Sequence, residues 1–164
     1  MTTELHPLGF FLPENTRLLM LGSFPPPRAR WSMDFYYPNI QNDMWRILGL
    51  IFYGNKDAFL RDKKAFSEEK AKAFCREKGI GIGDTAMEVI RLKANASDKF
   101  LEVVRPIDPE KVLSQIPECV AIVVTGQKAM DTLLSVLPGT EEPKVGFSSA
   151  PTSANAYSTL FKSA

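Results

Sequence analysis

Between positions 35 and 45 the chain reads Phe35-Tyr36-Tyr37-Pro38-Asn39-Ile40-Gln41-Asn42-Asp43-Met44-Trp45, aromatic rings beside side-chain amides. Such rings can stack on a planar heterocycle while the amides hydrogen-bond its edge. The plainer alternative makes Phe35 and Trp45 core residues and Asn42 the cap of a following helix. A second stretch, Gly22-Ser23-Phe24-Pro25-Pro26-Pro27-Arg28-Ala29-Arg30, joins a glycine that lets a ligand approach the backbone to prolines that stiffen the turn. It has neither the GK[ST] ending of a P-loop nor the GxGxxG spacing of a dinucleotide turn. A rigid turn with no ligand accounts for its composition at least as well. Asp84, followed by Thr85, can accept a hydrogen bond from a ligand or simply act as a cap. Ser148-Ser149-Ala150-Pro151-Thr152-Ser153-Ala154-Asn155 is rich in hydroxyls and small residues. It suits either the holding of phosphate oxygens or an exposed polar turn.

The rest of the composition narrows the chemistry. The sole histidine is His6, so a Ser-His or Cys-His pair would have to use it, which all but removes triad hydrolases. Cys75 and Cys119 belong to no CxxC or Cys/His grouping, which argues against a zinc site or a disulfide framework. Twenty basic residues against 19 acidic ones leave a net charge of +1, so any phosphate contact must be local. No apolar run approaches the ~18 residues of a membrane span. The N-terminal residues lack the basic-then-apolar pattern of a secretory signal, and a cytoplasmic protein with no membrane contact is expected.

The elements that must position these stretches are legible as an alternation. Four apolar runs read as buried strands: Arg17 to Ser23, Gly79 to Gly83, Val120 to Gly126 and Lys144 to Ser149. Helical patterns lie between them, over Asn42–Phe52, Asp57–Lys78 (one broken helix or two), Pro109–Ile116 and Gly126–Leu137. The alternation predicts an α/β fold, three layers α/β/α around a short, four-stranded, mainly parallel sheet. Ligands of such sheets bind at the carboxyl ends of the strands. That rule nominates the loops at 23–37, 83–85, 125–128 and 148–155. At 164 residues with 45% hydrophobic content, the chain suits one domain spanning 1–164.

Taken together, these loops resemble the motifs of the uracil-DNA glycosylase superfamily, most closely its mismatch-specific and hypoxanthine-DNA glycosylase-like branches. The GS-x-P turn of those relatives is matched by Gly22-Ser23-Phe24-Pro25. Their YY-x-x-P-x-N-x-FW segment is matched by Tyr36 to Trp45, with Ile40 in the proline slot and Met44 for phenylalanine. Gly79 to Asp84 resembles a GIALWD-like strand, Asn95-Ala96-Ser97-Asp98 a downstream segment, and Thr125 to Ala129 the strand-to-helix junction. Ala150 to Asn155 resembles the second signature loop, and the order holds from Arg17 to Tyr157.

The resemblance implies a monofunctional DNA glycosylase of base excision repair. Such an enzyme hydrolyses the N-glycosidic bond of a deaminated base, uracil or hypoxanthine, flipped out of DNA. Many members position the attacking water with Asp or Asn where this chain has Phe24. Relatives that lack that group use the asparagine of the second motif, here Asn42. The signature loop has no histidine, and only Ala156 to Ala164 follows it, short for a closing helix. By the same resemblance Tyr37 stacks on the base, the backbone around Gly22, Ser23 and Phe24 bonds its carbonyl oxygen, and Asp84 reads its edge. Ser149, Thr152, Ser153 and Asn155 hold the DNA backbone, and Arg28 and Arg30 reach phosphates. A monomer acting on DNA with a damaged base is expected, with no metal, nucleotide or flavin, no Schiff base and no strand cleavage. The competing reading is a non-catalytic nucleic-acid or nucleotide-binding module on the same fold, as the loss of a water-binding side chain at Phe24 suggests. A general α/β small-molecule enzyme leaves the aromatic–amide stretch unexplained.

Overall fold

The apolar runs at Leu18–Gly22, Ile80–Asp84 and Ala121–Thr125 form neighbouring parallel strands in the computed structural model, which describes residues 2–93, 100–137, 145–148 and 157–161. In chain order the first elements are β1 (Glu4–Leu5), β2 (Leu18–Gly22), α1 (Met44–Tyr53), β3 (Leu60–Asp62), β4 (Ala65–Phe66) and α2 (Glu68–Lys78). They are followed by β5 (Ile80–Asp84), β6 (Ala86–Arg91), β7 (Leu101–Pro106), α3 (Pro109–Ser114) and β8 (Ala121–Thr125). The last are α4 (Gln127–Val136), β9 (Val145–Ser148) and β10 (Tyr157–Phe161).

Strand β2 is apolar at nearly every position because both of its faces are covered. Met20 packs with Trp45, Phe59, Phe66, Phe74 and Ile82 on the side of α1 and α2. Leu19 and Leu21 pack on the other side with Val112, Val124, Met130 and Leu133, under α3 and α4. The period of two along the strand thus separates two cores, and the three-layer α/β/α arrangement follows. The sheet order is β5-β2-β8-β10-β9. It carries five strands rather than the expected four, because β10, formed by the tail read as short for a helix, lies antiparallel between β8 and β9. Tyr157-Ser158-Thr159-Leu160-Phe161 is rich in strand formers, and β9 still points the same way as β8.

The charged segment 57–78 holds only one helix. Its first part is the β3–β4 hairpin, whose turn is closed by the Asp62 carboxylate accepting from the Lys64 amide at 2.8 Å. Ser67 then caps α2 by accepting from the Lys70 amide. A second sheet, β1-β6-β7, was not among the expected elements. The N-terminal segment also covers β5: Phe11 and Ile82 exchange two backbone hydrogen bonds of 2.9 Å. At Gly83 any side chain would collide with the Phe10 ring, which explains one of the glycines in this strand.

Candidate active site

Strands β2, β5 and β8 end side by side, with Gly22 paired to Asp84 and Leu21 to Val124. A Cβ placed on Gly22 would lie 2.6 Å from Asp84 Oδ1, 3.6 Å from Thr125 Oγ1 and 3.7 Å from the Tyr37 hydroxyl. Three polar groups from three separate segments therefore converge on the one residue that has no side chain. The Tyr37 hydroxyl is 3.3 Å from Thr125 Oγ1, and its ring packs edge-on against Trp45. Tyr37 holds this place with φ of 53°, a left-handed conformation that is costly for a bulky residue. The strain is offset by anchoring at both ends of the side chain and by the buried Pro38 that follows.

Asp84 is engaged from the other side by His6, whose Nε2 lies 2.6 Å from Asp84 Oδ2, both side chains being 6% exposed. The imidazole meets the Phe24 ring edge-on at 5.3 Å and lies against Tyr36 at 5.8 Å. Burial, then the neighbouring Asp84 carboxylate and Tyr37, push the Tyr36 phenol well above its ordinary range, so it stays neutral and donates to the Gly9 carbonyl at 3.0 Å. Phe24 itself is buried among Ala86, Val89 and Leu101 of the second sheet. Its neighbour Ser23 is also buried and accepts from the Ala86 amide, while the Gly22 carbonyl accepts from Thr85.

The structure brings together Gly22, Ser23, Phe24, Tyr37 and Asp84 of the predicted residues. Asn42 stands at the start of α1, half-buried, with its Oδ1 accepting from the Met44 amide at 2.9 Å. Arg28 is exposed, with its guanidinium 2.7 Å from Asp34 Oδ1 and 4.2 Å from the centre of the Trp31 ring, and Arg30 is exposed in the same turn. Ser149, Thr152, Ser153 and Asn155, like the Asn95–Asp98 segment, lie outside the described residues. Two participants were not singled out from the sequence. Thr125 ends β8, so the strand-end rule already marked its position. His6 carried one signal only, that it is the sole histidine. Among the described residues no group of three or more His, Cys, Asp or Glu side chains could hold a metal ion, and no helix is long and apolar enough to cross a membrane.

A parallel three-strand centre flanked by helices, with its polar cluster at the carboxyl edge, defines an α/β protein with a strand-end site. A solution NMR structure of a candidate uracil DNA glycosylase from Methanosarcina acetivorans aligns with it at a TM-score of 0.60 and 25% identity. The match covers 78% of this chain and 73% of the other. No protein-family model and no curated protein matches the chain. The fold is thus uracil-DNA-glycosylase-like.

Proposed function

We propose that this chain is one DNA glycosylase domain that hydrolyses the bond between deoxyribose and a deaminated base, uracil or hypoxanthine, extruded from DNA. The observation that carries the reading is the convergence of Asp84, Thr125 and Tyr37 on Gly22, at the strand ends of a glycosylase-like fold. That convergence sets a carboxylate and two hydroxyls at one point of the strand ends, the kind of hydrogen-bonding groups that the edge of a base requires. Breaking the bond builds positive charge on the sugar and negative charge on the base, and fixed dipoles favouring that separation supply most of the acceleration. A water oxygen then bonds to the sugar C1′ and one of its protons ends on the departing base.

Asn42 is the residue assigned to place that water. Its Oδ1 already accepts from Met44, and a carbonyl oxygen has a second lone pair for a water hydrogen. Late attack on an electron-poor sugar requires placement more than proton removal. Tyr37 offers its ring face to the base, and the exposed Arg28 and Arg30 offer charge to nearby phosphates.

The test is incubation with oligonucleotides bearing uracil, hypoxanthine or xanthine, followed by detection of alkali-labile abasic sites. Asn42→Ser keeps a short oxygen acceptor for the Met44 amide but removes the amide group. We expect the variant to fold with stability close to the native chain and to lose at least ten-fold in base release. Unchanged turnover would remove Asn42 from the mechanism. The capping bond itself favours the second reading, a non-catalytic nucleic-acid-binding module, and binding without release from any of the three substrates would establish that one.

A further inference from the structure

We infer that His6 is a positioning residue for Asp84, locking one carboxylate oxygen so that the other selects a base carrying a ring N–H; this rests on the base-binding reading above. The chain reaches this geometry through the second sheet. Glu4 and Leu5 pair with Val89 and Glu88, and the His6 amide continues the ladder by donating to the Met87 carbonyl at 2.8 Å. Arg91 ties the same region together, donating from Nε to Glu4 at 2.9 Å and from Nη2 to the Pro25 carbonyl at 3.1 Å. His6 is thereby held in fixed relation to the turn that begins at Gly22.

Its ring has little freedom. Nδ1 lies 2.5 Å from the Leu8 carbonyl, Nε2 lies 2.6 Å from Asp84 Oδ2, and Phe24 and Tyr36 contact the ring. Removing one member of a buried hydrogen-bonded pair strands the polar atom of the other, while the net stability such a bond adds is modest, so what it contributes is geometry. Here the geometry is asymmetric: Oδ2 is occupied by His6 while Oδ1 is the oxygen at Gly22.

A single fixed acceptor discriminates by hydrogen-bond sense. Uracil and hypoxanthine carry a ring N–H next to a carbonyl, whereas the corresponding ring nitrogens of cytosine and adenine are acceptors. Those would set a lone pair against Oδ1, leaving a buried polar group unpaired. The pair would therefore separate deaminated bases from the bases that gave rise to them.

Because the chain has one histidine, ¹⁵N-histidine labelling reports on this ring alone. We expect its ring signals to change in Asp84→Asn, and to shift when a uracil oligonucleotide is added to the native protein but not with its cytosine counterpart. In parallel, His6→Ala should lose about 10²-fold in kcat on uracil with KM little changed, while His6→Gln, which keeps an N–H donor, recovers most of it. Ring signals insensitive to Asp84→Asn, or full kcat in His6→Ala, would overturn the inference. Were the native protein to release no base at all, the glycosylase reading alone would fall. The labelled ring would still decide whether His6 orients Asp84 toward a uracil-bearing strand.

Discussion

Replacing Gly22 by alanine adds one methyl group at the point where the three polar groups meet. The new Cβ would stand 2.6 Å from Asp84 Oδ1, roughly 1 Å inside the separation that non-bonded atoms tolerate. Thr125 Oγ1 and the Tyr37 hydroxyl, at 3.6 and 3.7 Å, are in ordinary contact and need not move. The whole adjustment therefore falls on Asp84, which is buried and held by His6 at 2.6 Å. A carboxylate displaced by that distance stretches the His6 contact beyond hydrogen-bond length, or β2 and β5 separate where Gly22 faces Asp84. Overpacking of this size costs about 1–3 kcal/mol, and a 1 Å misplacement at a reacting site costs about 10²-fold in rate. Urea unfolding should show a lower midpoint at unchanged slope, and single-turnover release of uracil should fall by that factor. A Gly22→Ala protein with native stability and native turnover would refute both the packing argument and the place of Asp84 in the site.

Two further outcomes follow from groups outside the cluster. Burial pushes the Cys75 thiol from 9.0 up to about 12, with neighbouring Arg76 opposing. Below pH 9 both states keep the proton; above it the unfolded chain ionises first, so stability falls between about pH 9 and 12. Denaturation curves across that window should slope downward in the native chain, and less so in Cys75→Ala. At the DNA, removing Arg30 should lower the slope of log affinity against log salt by about 1, measured by anisotropy of a labelled oligonucleotide. Removing Arg28 should lower it less, because Asp34 already neutralises part of its charge.

The elements that could be read from the sequence are those whose environment is uniform. Strands β2 and β8 are continuous apolar runs because both faces are covered, and α3 announces itself by Asp108 and Pro109 at its start. The second sheet gives no such signal. Strands β6 and β7 are only partly buried, and their pairing shifts register near Glu88, which breaks the alternation that marks a strand. In the 57–78 segment, Lys63 and Lys64 form the turn of a hairpin, and Phe66 of its second strand reaches the core together with Phe59, just before its first.

The site divides in the same way. The strand-end positions of Gly22 and Asp84 were legible, and Thr125 lay in a nominated loop, because the ligands of a parallel sheet bind at the carboxyl ends of its strands. The His6–Asp84 contact was not legible, since it joins residues 78 positions apart. Nothing local to His6 or to Asp84 encodes their meeting. It is produced by a two-residue strand that pairs with β6, and β6 is set against the first turn by the bond from Ala86 to Ser23. The parallel sheet brings the Asp84 carboxylate to the strand ends, and the second sheet, through His6, engages one of its two oxygens. On the base-reading role proposed for Asp84, a change in the second sheet would alter which base is accepted while leaving every residue at the strand ends intact.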